Sequence, residues 1–241
     1  MIIHKLFKDK RLPSSMDFVS IPEWFKFHDV GIDAFSFLVL LVFFVLCASY
    51  YSMTKKKNFL YLGGAFLLIA AAQLALVITK IPIYYNTGFT TSIGNMIVTY
   101  HIAKSATSIY FMGFFIHKLL TLVGIYLIYR LLAKEKFSGE FLLALFFIVL
   151  SVVMSSTAEY LFHLVIMILL VLIIGRYYQL YKQNKSGNTL ILMLAFMLLL
   201  ISHSILSITG ATTPAVVANI LELVGYVVLL LLIIRILRAK G

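Results

Sequence analysis

The sequence predicts an all-α integral membrane protein of seven transmembrane helices, and three observations carry that prediction. Of its 241 residues, 62% are hydrophobic and 12% charged, with a mean hydropathy of +1.04. Soluble domains run to roughly half apolar and a quarter charged, so a soluble fold is excluded. Apolar runs long enough to span a bilayer recur along the chain at about 33–53, 59–79, 108–132, 140–157, 160–180, 189–208 and 215–237. Basic residues gather after alternate runs, as a multi-pass topology requires.

Residues 1–32 precede the first run. They mix charges with Phe18, Trp24, Phe25 and Phe27, which suits an interfacial segment, and they lack the apolar core of a secretory signal. The first run carries the lone cysteine, Cys47, so no disulfide can form within the chain. Between the second and third runs lies the longest connection, an outer loop over 80–107. Its Pro82, Tyr84, Tyr85, Asn86 and Gly88 predict a turn, and Ile93 to Ala103 a short amphipathic helix. Asp33, Glu140 and Glu159 stand at run ends and read as caps or interface anchors. Tyr50, Tyr51, Tyr177 and Tyr178 fall where aromatic belts are expected.

Twelve of the twenty Lys and Arg follow the first run (Lys55, Lys56, Lys57), the third (Arg130, Lys134, Lys136), the fifth (Arg176, Lys182, Lys185) and the seventh (Arg235, Arg238, Lys240). If every run spans, all twelve lie on one side, which predicts an N-out, C-in protein of the cell membrane. This placement accounts for the net charge of +11 and the pI near 9.7 better than nucleic-acid binding does, and leaves the lipid bilayer as the partner the composition implies.

A repeat organises the runs. Tyr50-Tyr51-Ser52-Met53, a basic turn and Ala65-Phe66-Leu67-Leu68 answer Tyr177-Tyr178-Gln179-Leu180 and Ala195-Phe196-Met197-Leu198, with a turn three residues longer in the second copy. Leu120-Thr121-Leu122-Val123-Gly124 in the third run answers Leu221-Glu222-Leu223-Val224-Gly225 in the seventh. The order is three helices, one linker helix and three helices, a parallel internal repeat about an axis along the membrane normal.

Ionisable groups inside spans are costly and mark candidate function. His117, His163, His203 and Glu222 come out at a similar outer depth, with Lys118 beside His117 placed to pair with Glu222 if the third and seventh helices are neighbours. In the repeat, Gln73 answers His203, Ser36 answers His163 and Thr121 answers Glu222. The candidate ligand-binding residues are therefore Gln73, His117, Lys118, His163, His203 and Glu222. Three imidazoles and a carboxylate (His117, His163, His203, Glu222) are competent to hold zinc or another transition metal, to relay protons or to recognise an anion. Near helix ends they are equally able to reach interfacial water, and no HxxxH or HExxH pair puts two metal ligands on one helical face.

The HDVGID entry to the first run, FFIHKLLTLVG in the third and FHL in the fifth resemble uncharacterised seven-helix membrane proteins of archaea over nearly the whole chain. That resemblance implies an archaeal cell membrane and no particular activity. The three-plus-one-plus-three layout is distantly similar to sugar transporters of the SWEET type, although their hinge prolines sit within the membrane and Pro13, Pro22, Pro82 and Pro214 here are expected outside the spans. The seventh run has no retinal-binding lysine and no NPxxY, and the third has no DRY, which sets the chain apart from rhodopsins and conventional receptors. The adiponectin-receptor-like paired histidines are also missing. The function expected is a ligand-binding or sensory module with an outer polar pocket, acting through a separate signalling partner. The alternatives are a small-solute or metal transporter, or a membrane-embedded metalloenzyme with Glu222 as base.

Overall fold

A computed structural model describes residues 22–85, 90–93, 96–99, 103–133, 139–156, 158–208 and 212–238. The tail at 1–21 therefore lies outside the described residues. The chain forms α1 (Lys26–Thr54), α2 (Lys57–Tyr85), β1 (Thr90–Ile93), β2 (Met96–Thr99), α3 (Ala103–Ala133), α4 (Gly139–Met154), α5 (Tyr160–Asn184), α6 (Gly187–Ile208) and α7 (Thr212–Arg238). A single 3-10 turn, Glu23–Phe25, leads into α1. Six of the helices are long and apolar enough to cross a membrane: α1, Lys57–Ile81 of α2, Phe111–Ala133 of α3, α5, α6 and Pro214–Ile236 of α7.

Several expectations need correction. The first helix starts at Lys26, so residues 26–32 belong to α1 instead of an interfacial segment, and Asp29 and Ile32 are buried within the bundle. The second helix runs to Tyr85, which moves Lys80 out of the loop and into α2 and carries the helix through Pro82. Pro214 sits in the first turn of α7, where its missing N–H leaves no intrahelical bond unmade. In place of the amphipathic helix over 93–103, Thr90–Ile93 pairs antiparallel with Met96–Thr99, with Ile93 opposite Met96. The β-branched run Thr90, Thr91, Ile93, Ile97, Val98 and Thr99, split by Gly94-Asn95, is a hairpin signal that overrides the helical pattern.

The fourth apolar run yields a helix of only 16 residues, about 24 Å at 1.5 Å per residue against a hydrocarbon core of about 30 Å. Ser155 and Ser156 end it by turning their hydroxyls onto the carbonyls of Val152 and Val153, both at 2.7 Å, an alternative to further helix. The α4 helix returns along α3. Its Phe141 stacks on Tyr126 at 6.0 Å and lies 5.1 Å beneath the Arg130 guanidinium, and its C-terminal turn reaches Lys118.

The other six helices close into a ring. α2 packs between α1 and α3, α6 packs between α5 and α7, and the two triplets meet where α3 touches α5 and α1 touches α7, with α4 outside against α3 and α5. Side chains such as Leu122, Ile128, Ile166, Ile173 and Leu229 fill the interior, while Leu38, Phe146, Val171 and Leu231 point outward.

The triplets share a burial pattern. The buried Phe162, Ile166, Leu169, Leu170, Ile173 and Tyr177 of α5 stand 130 positions after the buried Ile32, Ser36, Val39, Leu40, Phe43 and Cys47 of α1. In α6, Ala195, Phe196, Leu199 and Ser202 follow Ala65, Phe66, Ile69 and Ala72 of α2 by the same interval. Each triplet turns on a left-handed lysine, Lys55 (φ 55°) and Lys185 (φ 45°). Their backbone N–H groups donate to the carbonyls of Tyr51 and Tyr181 at 2.8 Å, closing the helix C-terminus in the αL manner. Two residues separate the helices in both turns, so the three extra residues lie inside α5. Tyr177 is consequently buried in the core against Phe196, at 5.7 Å between rings, and is no part of an interfacial belt. The register also pairs Asp33, instead of Ser36, with His163.

Candidate functional site

A cavity of about 190 Å³ lies at the centre of the ring, lined by side chains from all six of its helices and none from α4. Gln73, His117, Lys118, His163, His203 and Glu222 all line it. The helices carry them there by periodicity. Gln73 follows Phe66 and Ile69 on the buried face of α2, Lys118, Thr121 and Ile125 share a face of α3, and Glu222 and Tyr226 lie one turn apart on α7.

One wall is acidic. Lys80 Nζ on α2 sits 2.7 Å from Asp29 Oδ2 and 2.6 Å from Asp33 Oδ2 on α1, and Asn219 Nδ2 on α7 donates to Asp29 Oδ1 at 2.8 Å. Asp29 and Asp33 are one turn apart on one face of α1, so a single ammonium spans both. Asp33 is 6% exposed; it is a buried ion-pair partner, which corrects its expected role as a helix-end cap. Farther along this wall, the Tyr226 hydroxyl accepts from Gln73 Nε2 at 3.3 Å and hydrogen-bonds Glu222.

The facing wall carries nitrogen. His163 Nδ1 and His203 Nδ1 stand 3.1 Å apart, so one of the two nitrogens donates to the other. His117 Nδ1 lies 3.1 Å from the Ala72 carbonyl of α2, to which it donates. Lys118 does not pair with Glu222. The turn between α4 and α5 meets it instead, giving the Ser155 carbonyl at 3.4 Å, the Glu159 carboxylate at 4.0 Å and the Phe162 ring at 5.6 Å. Glu159 is thus its partner, while Glu140 occupies the first turn of α4 as expected.

Three histidines and Glu222 share the wall of the cavity. Among the described residues no group of three or more His, Cys, Asp or Glu is placed to hold a metal ion; His117 Nδ1 faces the carbonyl of Ala72, His163 and His203 face each other through Nδ1, and Glu222 hydrogen-bonds Tyr226. Two buried oxygens on the cavity wall, Gln73 Oε1 and Thr121 Oγ1, find no hydrogen-bond partner among the described residues.

Sequence reasoning missed Asp29, Lys80, Asn219 and Tyr226. A usable signal existed for the first two: carboxylates four apart at the head of one run, and a lone lysine at the end of the next, antiparallel run. Asn219 and Tyr226 carry no charge, and only the fold brings them to the cavity. No protein-family model, curated protein or solved structure matches the chain.

Proposed function

We propose that the chain is a multi-pass protein of the cell membrane that binds a small polar solute in the central cavity, reached from the outer face. The observation that carries this reading is the convergence of polar side chains from six helices on one cavity, two of whose buried oxygens find no partner among the described residues. Buried polar groups in native structures are nearly always satisfied, and a solute supplies what Gln73 Oε1 and Thr121 Oγ1 lack. The cavity exceeds the roughly 150 Å³ of an engineered cavity that admits benzene, so a small organic molecule fits.

The same proposal places the ends of α1, α3, α5 and α7 that carry Lys55, Arg130, Lys182 and Arg235 in the cytoplasm, with α4 as a short seventh crossing. A solute that draws the two walls together shifts the ring between two packings, and a separate signalling partner reads that shift. A second reading, solute transport, is favoured by the shared burial pattern. If the triplets are a parallel repeat, the cavity lies between the two halves, where rocking of one against the other exposes it to alternate sides.

The test uses Ile125, on the cavity wall, as a reporter. In a Cys47→Ser background, Ile125→Cys is expected to react with methyl methanethiosulfonate in membrane vesicles of outside-out orientation and to be shielded by small polar solutes. A thiol that stays unmodified after unfolding-controlled labelling overturns the pocket. Uptake of a shielding solute into liposomes selects the transport reading; shielding without flux selects the binding module.

A further inference from the structure

We infer that the solute is a small zwitterion, a molecule with an ammonium group at one end, a carboxylate at the other and an apolar body between them, such as an α-amino acid; this rests on the pocket reading above. The ring divides the cavity into two contiguous arcs of opposite chemistry. On α7, α1 and α2 stand three carboxylates, Asp29, Asp33 and Glu222, against one ammonium, Lys80. On α3 and the arc through α5 to α6 stand Lys118, His117, His163 and His203, and the carboxylate there, Glu159, is 52% exposed at its side chain and 4.0 Å from Lys118.

The unsatisfied atoms match this division. Gln73 Oε1, on the acidic arc, is an acceptor on a residue 4% exposed, and an acceptor is what an ammonium needs. Thr121 Oγ1, on the basic arc, belongs to a residue 6% exposed, and its hydroxyl can donate to a carboxylate. A ligand bearing only an ammonium would leave Thr121 Oγ1 unserved, and one bearing only a carboxylate would meet the surplus of acid across the cavity. Each lost charge-assisted hydrogen bond leaves a buried group unpaired. Below the polar walls, Leu40, Ile69, Ile125 and Leu229 supply an apolar floor for the body of the molecule.

The experiment uses the Ile125→Cys reporter in the full chain and measures shielding from methyl methanethiosulfonate by glycine, L-alanine, L-leucine and L-phenylalanine, and by the two halves of leucine's charge, 3-methylbutylamine and 4-methylpentanoate. At least one of the amino acids is expected to shield, and L-leucine at concentrations at least about ten-fold below either single-charge analogue, since sites built for a polar group reject ligands that lack it. Shielding by the amine or by the carboxylate equal to that by leucine overturns the zwitterion while leaving the pocket standing. A reactive thiol shielded by none of the amino acids overturns it as well, and a thiol that never reacts removes the pocket itself. Glu222→Gln, with the reporter still reactive, is expected to weaken shielding by leucine about ten-fold or more and to leave shielding by 4-methylpentanoate no weaker; an equal loss for both makes Glu222 structural and sinks its role at the ammonium end.

Discussion

In α1–α3, the polar side chains that reach the cavity from α1 and the end of α2 are ions locked to ions, Lys80 between Asp29 and Asp33 at 2.7 and 2.6 Å. In α5–α7, the corresponding depth holds two imidazoles joined by a single contact of 3.1 Å and a carboxylate whose bonding partner is a tyrosine hydroxyl. Yet the buried faces of α1 and α5, and of α2 and α6, keep the same spacing of buried positions. Asp33 and His163 stand in one register, as do Gln73 and His203. The apolar pattern thus sets where the helices lie, and the few polar positions it leaves inside are free to differ in chemistry.

The difference predicts unequal sensitivity at the two sides. Removing Lys80 strands two carboxylates that are 2% and 6% exposed, and breaking a buried ion pair by deleting one partner costs about 3–5 kcal/mol. Lys80→Met is therefore expected to lower the unfolding free energy in detergent by that amount, and adding Asp29→Asn and Asp33→Asn to recover most of it. His203→Phe, which removes one hydrogen bond between two imidazoles, is expected to cost about 1 kcal/mol. Equal losses at Lys80 and His203 in the same denaturant titration would erase the distinction between a charged lock and a polar contact.

The two glycines of the Leu-x-Leu-Val-Gly pair sharpen it on the apolar side. A Cβ on Gly124 would stand 2.5 Å from Ile69 Cγ1 and 3.0 Å from the Ala65 carbonyl oxygen of α2, so α2 and α3 approach more closely than any side chain allows. On Gly225 it would meet Leu199 Cδ2 at 3.2 Å and the Ala195 carbonyl at 3.5 Å; the first is a movable methyl and the second lies at ordinary contact. Gly124→Ala is expected to cost about 1–3 kcal/mol, and Gly225→Ala to stay within about 0.5 kcal/mol. Thermal unfolding of both variants, run side by side, decides whether the first triplet is the tighter one.

Much of this was legible in the chain, for reasons that separate the helices from the site. Long apolar runs announce themselves because each must satisfy its own backbone bonds, so six crossing-length helices follow directly. The end of α4 was not legible, since serine hydroxyls that stop a helix read the same as serines within one. His117, His163, His203 and Glu222 stood out as charges or imidazoles in apolar runs. Lys80, Asp29 and Asp33 stood near run ends, where snorkelling to water is the ordinary expectation, and only the antiparallel pairing of α1 and α2 turns them inward. The tyrosine pairs misled for the opposite reason: identical dipeptides lie five and eight residues before their capping lysines, so matching letters set a register that the buried faces do not share.

The smallest expected effect is at Lys118, and it tests whether burial or pairing makes a charge matter here. Lys118 is buried, as Lys80 is, at 8% exposed, but its acidic partner Glu159 is half exposed and 4.0 Å away. Water reaches one end of the pair, so screening weakens it, and such pairs couple by about 0.2–1 kcal/mol. A double-mutant cycle of Lys118→Met and Glu159→Gln should return a coupling in that range that shrinks as salt is raised, whereas the cycle of Lys80→Met with Asp33→Asn should return a larger coupling that salt barely moves. A Lys118 coupling as large and as salt-insensitive as that of Lys80 would mean that Lys118 is locked in place by Glu159. Its ammonium would then not be available to meet a carboxylate in the cavity, and the Thr121 hydroxyl would be left to meet it.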